Sequence, residues 1–402
     1  MQIHAVSKSN NADHSTITLT PSLNPLSPAL TSSNLSYARA GHFIRWWDTY
    51  PLPSNSPAPY NNQAAWGIVL AWRYGIVLES TTSIQPGTQT WGFWPTADTP
   101  VDLNLTPGQS SDHWIETSVH RQALMPLYNI YVVTNEKDKE RMAWSAVFDG
   151  IWRAGYLMSE YVLNPQRPIH PLGDSAGLPW TAEDADISEA MVSALAASTK
   201  TARSFVYNLA RRSTGSPLGL VLVSSSPGPL VYPVANAAFS VHAISYDELA
   251  KSAEWLGDRK PKKLVVLDFG PRGDGLNQLC DVIERTEELE MSKRVIIQIG
   301  SQQKVYTAEE LQASRHAMVT KSKIQYNTSG VQDTLLQGDN PGDYLTPVDE
   351  RWGQWLNDRA VAVPDMRLVW RQGIDGPQGI HGGWERLCRG DVGSDECLVY
   401  EL

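Results

Sequence analysis

The hydrophobic pattern of the chain changes near residue 140. Before this point, short apolar runs at residues 65–72, 74–80 and 89–94 are separated by turns rich in glycine and proline. Short β-branched and aromatic runs between such turns are typical of strands. A further run at residues 14–20 has the same β-type composition. We therefore predict that the first part of the chain is a small antiparallel barrel or sandwich.

From residue 139 onward, helical periodicity alternates with continuous apolar runs. Residues 139–163 carry apolar side chains at helical spacing, and a short apolar element covers residues 185–195. Continuous apolar runs are the pattern of strands buried on both faces of a parallel sheet. Such runs occupy residues 218–225, 263–270 and 294–300. One predicted helix, 202–212, precedes the first run, and the helices 246–251 and 277–291 lie between the runs. This alternation predicts βαβ units in a doubly wound sheet.

The length of the chain, 402 residues and 44.5 kDa, indicates two domains. In the last part of the chain, the sequence pattern predicts helices at residues 349–356 and 382–390 and a short strand at 397–400. The second of these helices ends in glycine. We predict a fold of the α/β class. Residues 1–150 form its β-rich first domain, which the segment 320–402 rejoins, and residues 151–319 form a Rossmann-type nucleotide-binding domain.

Composition excludes several classes of partner. The formal charge of −10 and the absence of a clustered excess of lysine and arginine argue against nucleic-acid binding. No apolar run approaches the roughly 20 residues that span a bilayer, and the first residues lack the apolar core of a secretory signal. Three cysteines give neither a disulfide framework nor a close metal pair. We expect a cytoplasmic protein without a membrane partner.

Aromatic residues are unusually distributed, with 15 tryptophans and 15 tyrosines but only 6 phenylalanines. Many lie in the first half, among them Trp46, Trp47 and Trp94. One interpretation is ordinary packing. The alternative is a roomy pocket lined by flat rings, which suits an apolar small-molecule substrate.

The junction at residues 196–202 is a candidate phosphate site. A helix start presents unpaired backbone N–H groups and a partial positive charge. Hydroxyls of Ser198, Thr199 and Thr201 can donate to a phosphate, and Lys200 adds a full charge. The glycine-rich dinucleotide fingerprint is absent, so helix capping by a hydroxyl side chain is the alternative.

Two further strand ends bear on the cofactor. Ser224 and Ser225 follow the second predicted strand, where a carboxylate would select NAD and hydroxyls tolerate a 2′-phosphate. This favours NADPH over NADH if either binds. Asp268 closes another buried strand, where its carboxylate could approach the nicotinamide or cap the following turn.

Several of these segments resemble the medium-chain dehydrogenase/reductase superfamily, in its zinc-free quinone oxidoreductase and enoyl reductase branch. Residues 33–41 are similar to the quinone oxidoreductase segment with a pocket tyrosine and a following arginine, here Tyr37 and Arg39. The Ser-Thr-Lys-Thr-Ala stretch at 198–202 is similar to the glycine-poor loop of fungal trans-acting polyketide enoyl reductases, which bind NADPH. The resemblance implies a GroES-like domain beside the Rossmann-type domain, and a role in secondary metabolism.

The chain resembles one branch of this superfamily more closely, the domain of unknown function family 2855. The likeness runs from about residue 30 onward, through the segments 34–38, 45–51, 91–95, 120–131 and 383–390. No cysteine lies where zinc-dependent members place their ligands, so we expect no metal. Related reductases are often dimers, and the sequence leaves monomer and homodimer open.

Two groups of residues are candidates for catalysis. His120 lies near Tyr128 and Asn129 in a polar and aromatic segment, and a histidine can transfer a proton near neutral pH. The alternative is a structural network. Tyr37 is the other candidate, because a phenol can stabilise or protonate the enolate formed after hydride addition to an enone. Its alternative is a packed tyrosine with a satisfied hydroxyl.

These observations leave more than one function open. The first is an NADPH-dependent reductase of an activated C=C bond in an apolar small molecule. The second is a nicotinamide-independent cyclase or isomerase of the pericyclase type, such as a Diels–Alderase, that uses the aromatic pocket. A binding protein without catalysis is a third.

Overall fold

The computed structural model describes residues 2–18, 29–30, 32–42 and 44–402, which form two compact units. One unit comprises residues 1–150, 303–305 and 366–402, and the other comprises 151–302 and 306–365. Up to residue 150 the described chain forms mainly strands, in the order β1 (Gln2–Ser7), β2 (His14–Thr18), β3 (Ala29–Leu30), α1 (Ser32–Ala40), β4 (Trp66–Ile68), β5 (Leu70–Ile76), β6 (Gln89–Pro95), β7 (Leu105–Pro107), β8 (His113–Glu116), β9 (Ile130–Thr134) and the start of α2 (Lys139–Leu157).

The second unit alternates strands with helices, and the chain then returns to the first unit. The elements of the second unit are α3 (Ala182–Ala185), β10 (Ala190–Leu195), α4 (Lys200–Leu209), β11 (Gly219–Val223), β12 (Ser240–Ile244), α5 (Ser252–Gly257), β13 (Lys263–Asp268), α6 (Gly275–Arg285), β14 (Lys293–Gln298), α7 (Ala308–Thr320), β15 (Ile324–Gln325), α8 (Thr328–Leu336) and α9 (Gly342–Ala362). The returning elements are β16 (Arg367–Gln372), α10 (Ile380–Arg389) and β17 (Glu396–Glu401).

The first unit is built mainly from antiparallel pairings, with one parallel pair between β16 and β17. Its largest sheet has the strand order β5-β6-β9-β8-β7, and a second sheet has the order β2-β1-β4. The third sheet, β16-β17-β3, joins the end of the chain to a strand near its beginning. The predicted β-rich, antiparallel first domain is confirmed. Its strand β5 runs through Ile76, so the separate strand predicted at 74–80 is wrong, and Leu78 beyond it is exposed.

The second unit contains one parallel sheet with the order β12-β11-β10-β13-β14-β15. This is the 3-2-1-4-5-6 order of dinucleotide-binding folds, with β10 as its first strand. Strands β10, β11 and β13 are buried at every position, as their continuous apolar runs predict. The doubly wound α/β sheet is therefore confirmed. Pattern reasoning missed β12 and β15, which are short edge strands with few buried residues.

The segment that returns to the first unit is shorter than predicted. We expected residues 320–402 to rejoin the first domain, whereas residues 320–365 belong to the second unit. The reason is packing within that unit: β15 pairs with β14, and Trp352 of α9 lies against Trp152 with ring centroids 5.4 Å apart. The return begins at residue 366. Helix α10 then ends at Gly390, whose φ of 75° is the left-handed cap that a glycine permits.

No helix among the described residues is both long enough and apolar enough to cross a membrane.

Candidate functional site

The predicted phosphate loop lies at the carboxyl end of the central strand of the parallel sheet. Strand β10 ends at Leu195, the chain turns through residues 196–199, and α4 begins at Lys200. Ala196 has φ 59°, a left-handed conformation that glycine adopts without strain. The tight turn for which dinucleotide fingerprints use glycine is thus formed here with alanine.

The donors of this loop fit a diphosphate. The first amides of α4 have no partner within the helix, and Lys200 and Thr201 are half-buried at its start. The hydroxyl of Thr199 is buried and makes no hydrogen bond to any described atom, and this residue does not cap α4 with its side chain. A buried hydroxyl without a partner is costly unless a ligand satisfies it. The sequence left helix capping by a serine or threonine side chain as the alternative, and the side chain of Thr199, at the N-cap position, does not make that hydrogen bond.

Arg203 fixes the loop from inside the second unit. Its guanidinium donates to the carbonyl of Ser198 at 3.1 Å and forms a bidentate ion pair with Asp365 at 2.7 and 2.6 Å. The arginine side chain is 2% exposed. Two parallel charge-assisted bonds define both distance and orientation, so Ser198 is held by a rigid partner. Sequence reasoning missed Arg203 because Asp365 lies 162 residues away.

The side chain of Tyr246 reaches the same loop. This residue follows β12, and its hydroxyl lies next to the backbone at Ala196 and at Arg272. Burial is the main cause that raises the pKa of this phenol above its usual value. The Ala196 end of the turn is therefore covered by the side chain of Tyr246. The other end, Ser198–Thr201, carries the donors described above.

The serines after β11 differ in exposure. Ser224 is fully buried and its hydroxyl accepts a hydrogen bond from the amide of Ser226 at 3.1 Å. Ser225 is exposed. The pair therefore offers one solvent-facing hydroxyl and no carboxylate at the position that discriminates between NAD and NADP.

Asp268 is occupied by a buried ion pair. Its carboxylate accepts from Nζ of Lys323 at 2.9 Å and from the amide of Gly270 at 3.1 Å, and both charged side chains are almost completely buried. The structure therefore favours the turn-capping alternative over an approach to a nicotinamide. Lys323 carries no signal in the sequence, because it follows α7, 55 residues beyond its partner.

In the first unit, Tyr37 lies on α1 against the largest antiparallel sheet. The amide of Asn34 donates to the carbonyl of Leu70 at 2.7 Å, which fixes α1 on β5. One turn later the hydroxyl of Tyr37 accepts a hydrogen bond from Nε1 of Trp72 at 3.2 Å. Burial raises the pKa of Tyr37 to about 12, so the phenol stays protonated at neutral pH.

Tyr128 and Trp46 surround Tyr37 in one aromatic cluster. Their rings lie 6.2 Å and 4.4 Å from that of Tyr37 between centroids, and both side chains are buried. Trp47 faces a different core, beside Trp384 of α10. The three predicted pocket tryptophans therefore do not line one cavity, because adjacent residues of the Trp46–Asp48 turn point to opposite sides.

His120 and Arg121 also point in opposite directions. His120 is exposed, whereas the buried guanidinium of Arg121 donates to the hydroxyl of Tyr131 at 2.9 Å and faces the carboxylate of Glu116 at 3.3 Å. Asn129 donates to the carbonyl of Arg121 at 3.2 Å. The sequence left proton transfer and a structural network as alternatives for this segment. The structure favours the network, and His120 is not part of that network. Arg39, the other predicted pocket residue, is exposed on α1.

A cleft of about 700 Å³ opens within the first unit. It is bounded by the segments 75–84 and 97–105, and Trp94 and the buried Arg73 lie in its wall. The indole Nε1 of Trp94 is buried without a hydrogen-bond partner among the described atoms. Trp94 is thus a predicted pocket tryptophan that lines this cleft.

Comparison with known proteins gives the family and the fold. The family described as "Protein of unknown function (DUF2855)" matches residues 29–393. A putative NADPH:quinone reductase from Bacillus thuringiensis is similar at 12% identity with a TM-score of 0.51, covering 100% of this chain and 98% of that one. An enoyl thioester reductase mutant from Candida tropicalis has 9% identity and a TM-score of 0.49, covering 100% and 99%. A comparison with curated proteins found no match.

At such low identity, the likeness to the quinone reductase establishes the fold alone. That fold is the medium-chain dehydrogenase/reductase fold, with a GroES-like unit and a Rossmann-type unit.

Proposed function

This chain belongs to the DUF2855 family and has the fold of the medium-chain dehydrogenases and reductases, and from this premise we propose that it is an NADPH-dependent reductase. The substrate we propose is an activated C=C bond in an apolar small molecule, reduced without catalytic zinc. The observation that carries the proposal is the loop at the start of α4, where a buried hydroxyl without a partner adjoins helix amides and a lysine.

Each donor of the loop has an assigned role in this proposal. The amides of Thr201 and Ala202 and the hydroxyl of Thr199 bind the diphosphate, as helix starts do in related folds. Arg203 positions this loop through the carbonyl of Ser198. Lys200 reaches a phosphate, and Ser225 leaves space for a 2′-phosphate because it brings no carboxylate.

When bound, NADPH supplies the hydride that adds to the β-carbon of an enone. The chain itself supplies the proton and the environment of the enolate. Tyr37 is a phenol that stays neutral near pH 7 and donates to the enolate oxygen, while Trp72 holds its hydroxyl in place. The aromatic cluster around Tyr37 excludes water and suits an apolar substrate.

The same proposal includes a place and a partner. We assign the reaction to the cytoplasm and to secondary metabolism, with the apolar substrate as the only partner besides the cofactor. Monomer and homodimer both remain compatible with it.

Titration with NADPH tests cofactor binding directly. We expect NADPH to quench the intrinsic tryptophan fluorescence by energy transfer and to raise the melting temperature of the protein. The absence of both effects at millimolar NADPH would exclude the reductase. NADH in place of NADPH should bind more weakly, because only NADPH offers a 2′-phosphate to a site without a carboxylate.

Lys200→Ala should weaken NADPH binding by about 10- to 100-fold, the loss expected for one charge-assisted hydrogen bond. The measurement is Kd by fluorescence for NADPH and NADH separately. A larger loss for NADPH assigns the lysine to the 2′-phosphate, and equal losses assign it to the diphosphate. The control is Lys251→Ala, whose side chain is 78% exposed in the same unit. Unchanged affinity in Lys200→Ala would remove this residue from the site.

One observation favours the second candidate function, a nicotinamide-independent cyclase or isomerase. Tyr246 already contacts the backbone of Ala196, at the turn where a dinucleotide approaches closely in related folds. If the phenol blocks the cofactor, wild-type protein should fail to bind NADPH and Tyr246→Ala should gain binding. Equal binding by wild type and Tyr246→Ala would show that the tyrosine leaves the crevice open.

A further inference from the structure

Four ionisable side chains from the two ends of the chain meet in the first unit. His4 lies on β1 and His14 on the paired strand β2, while His381 and Glu385 lie on α10. The hairpin and the helix are joined beside this group, because Nε1 of Trp384 donates to the carbonyl of Asn11 at 2.8 Å. The four residues, which we call the histidine cluster, are remote from the loop at Ser198 in the chain and lie in the other unit.

Three members of the histidine cluster have the spacing of a metal site. One possible ligand atom from each of His14, His381 and Glu385 lies within 4.8 Å of the other two. The rings of His14 and His381 are 4.5 Å apart between centroids, and Nε2 of His381 is 3.9 Å from Oε1 of Glu385. Residues four apart share one face of a helix, which explains why α10 presents the last two together.

The imidazoles are packed together with few other partners. His4 is fully buried, and its Nε2 lies 3.2 Å from Nδ1 of His14. Nδ1 of His4 and Nδ1 of His381 are both buried without a hydrogen-bond partner among the described atoms. Three imidazoles side by side repel one another when protonated and leave polar atoms unsatisfied when neutral. A cation that accepts a lone pair from His14 and one from His381 removes the repulsion between these two rings and satisfies one nitrogen of each.

The carboxylate of Glu385 is held in a fixed orientation beside the histidines by an ion pair with Arg389. Arg389 donates to Oε2 of Glu385 at 2.7 Å, which leaves Oε1 directed to His381. Imidazole nitrogens and carboxylate oxygens are both common ligands of transition metals in proteins.

We propose that His14, His381 and Glu385 bind one divalent transition-metal ion, best matched by zinc, and that His4 positions the ring of His14. Two histidines and one carboxylate form a common zinc ligand set that leaves a fourth position for water. Because Nε2 of His4 contacts Nδ1 of His14, the Nε2 atom of His14 is left for the metal. An outer partner commonly orients a ligating histidine in this way. The ion would connect the β1–β2 hairpin to α10. This inference does not rest on the proposed reductase function.

Zinc binding by the full-length chain tests the proposal. Protein treated with EDTA and dialysed is titrated with ZnSO4 alone, and bound metal is measured by mass spectrometry after gel filtration. We expect one equivalent of zinc and a rise in melting temperature, because a ligand that binds only the folded state stabilises it. Cobalt(II) in place of zinc should give visible absorption bands of a site with nitrogen and oxygen ligands.

Matched variants separate the site from adventitious binding. Glu385→Gln keeps size and shape at a half-exposed position and should weaken zinc binding by about 100-fold or more, while His4→Asn should weaken it by about 10- to 100-fold and shift the cobalt bands. His316→Ala changes an exposed histidine of α7 and should leave binding unchanged. Circular dichroism confirms that each variant is folded. Two results would overturn the proposal. One is binding of less than about a fifth of an equivalent of zinc at micromolar concentration, and the other is an unchanged zinc affinity in Glu385→Gln.

Discussion

Tyr37→Phe should lower kcat for reduction of an enone by about 100-fold or more, with little change in the Kd for NADPH. The reason is that a positioned general acid contributes about 100- to 10,000-fold. Phenylalanine keeps the ring in contact with Trp46 and Phe93 and removes only the hydroxyl that Trp72 holds. The measurement is steady-state oxidation of NADPH at 340 nm with a panel of apolar enones.

The pH dependence of this reaction provides a second readout. Since burial raises the pKa of Tyr37 to about 12, the acid form persists throughout the neutral range, and kcat should show no alkaline decline from this group below about pH 11. Tyr60→Phe is the control, because Tyr60 is a half-buried tyrosine that packs on Trp66 in another core cluster. Full turnover in Tyr37→Phe would reduce this residue to a packing role.

Arg203→Met should destabilise the protein by about 3 kcal/mol. Removing one partner of a buried ion pair leaves the other charge uncompensated, at a cost of about 3–5 kcal/mol. We expect the lower end because Asp365 retains 24% exposure and can regain water. Methionine keeps most of the buried volume. The measurement is the midpoint of urea denaturation followed by tryptophan fluorescence, together with the Kd for NADPH, which should rise because Ser198 loses its anchor.

The matched control is Arg285→Met in the same unit. Arg285 pairs with Asp281 on the surface of α6, with 83% and 58% of the two side chains exposed, so its loss should cost at most about 1 kcal/mol. Equal destabilisation by the two variants would contradict the role of Arg203. If Arg203→Met loses stability but binds NADPH with unchanged affinity, the arginine stabilises the fold and does not position the phosphate loop.

Local patterns predicted the elements that are buried along their whole length. The runs at β10, β11 and β13 were recognisable because a strand covered on both faces must be apolar at nearly every position. The loop before α4 was recognisable for a similar reason, since its hydroxyls and lysine are consecutive in the chain. The end of α10 was also recognisable, because a single glycine, Gly390, can form the left-handed cap that ends a helix.

The tertiary structure decided which of the predicted site residues already have partners within the protein. Asp268 forms an ion pair with Lys323. Arg203 holds the loop at Ser198 and is itself paired with Asp365. Trp46 and Trp47 are adjacent in the 3₁₀ turn Trp46–Asp48 and pack into separate cores.

The sequence by itself determined the α/β class, the parallel sheet and the position of the candidate phosphate loop, because burial imposes its pattern on neighbouring residues. Only the tertiary structure assembled the histidine cluster, which sequence reasoning overlooked when it sought metal ligands among the three cysteines. His14 and His381 are adjacent in space and lie near opposite ends of the chain. Contacts between residues so distant in sequence leave no trace in local periodicity, because chain connectivity correlates only near neighbours.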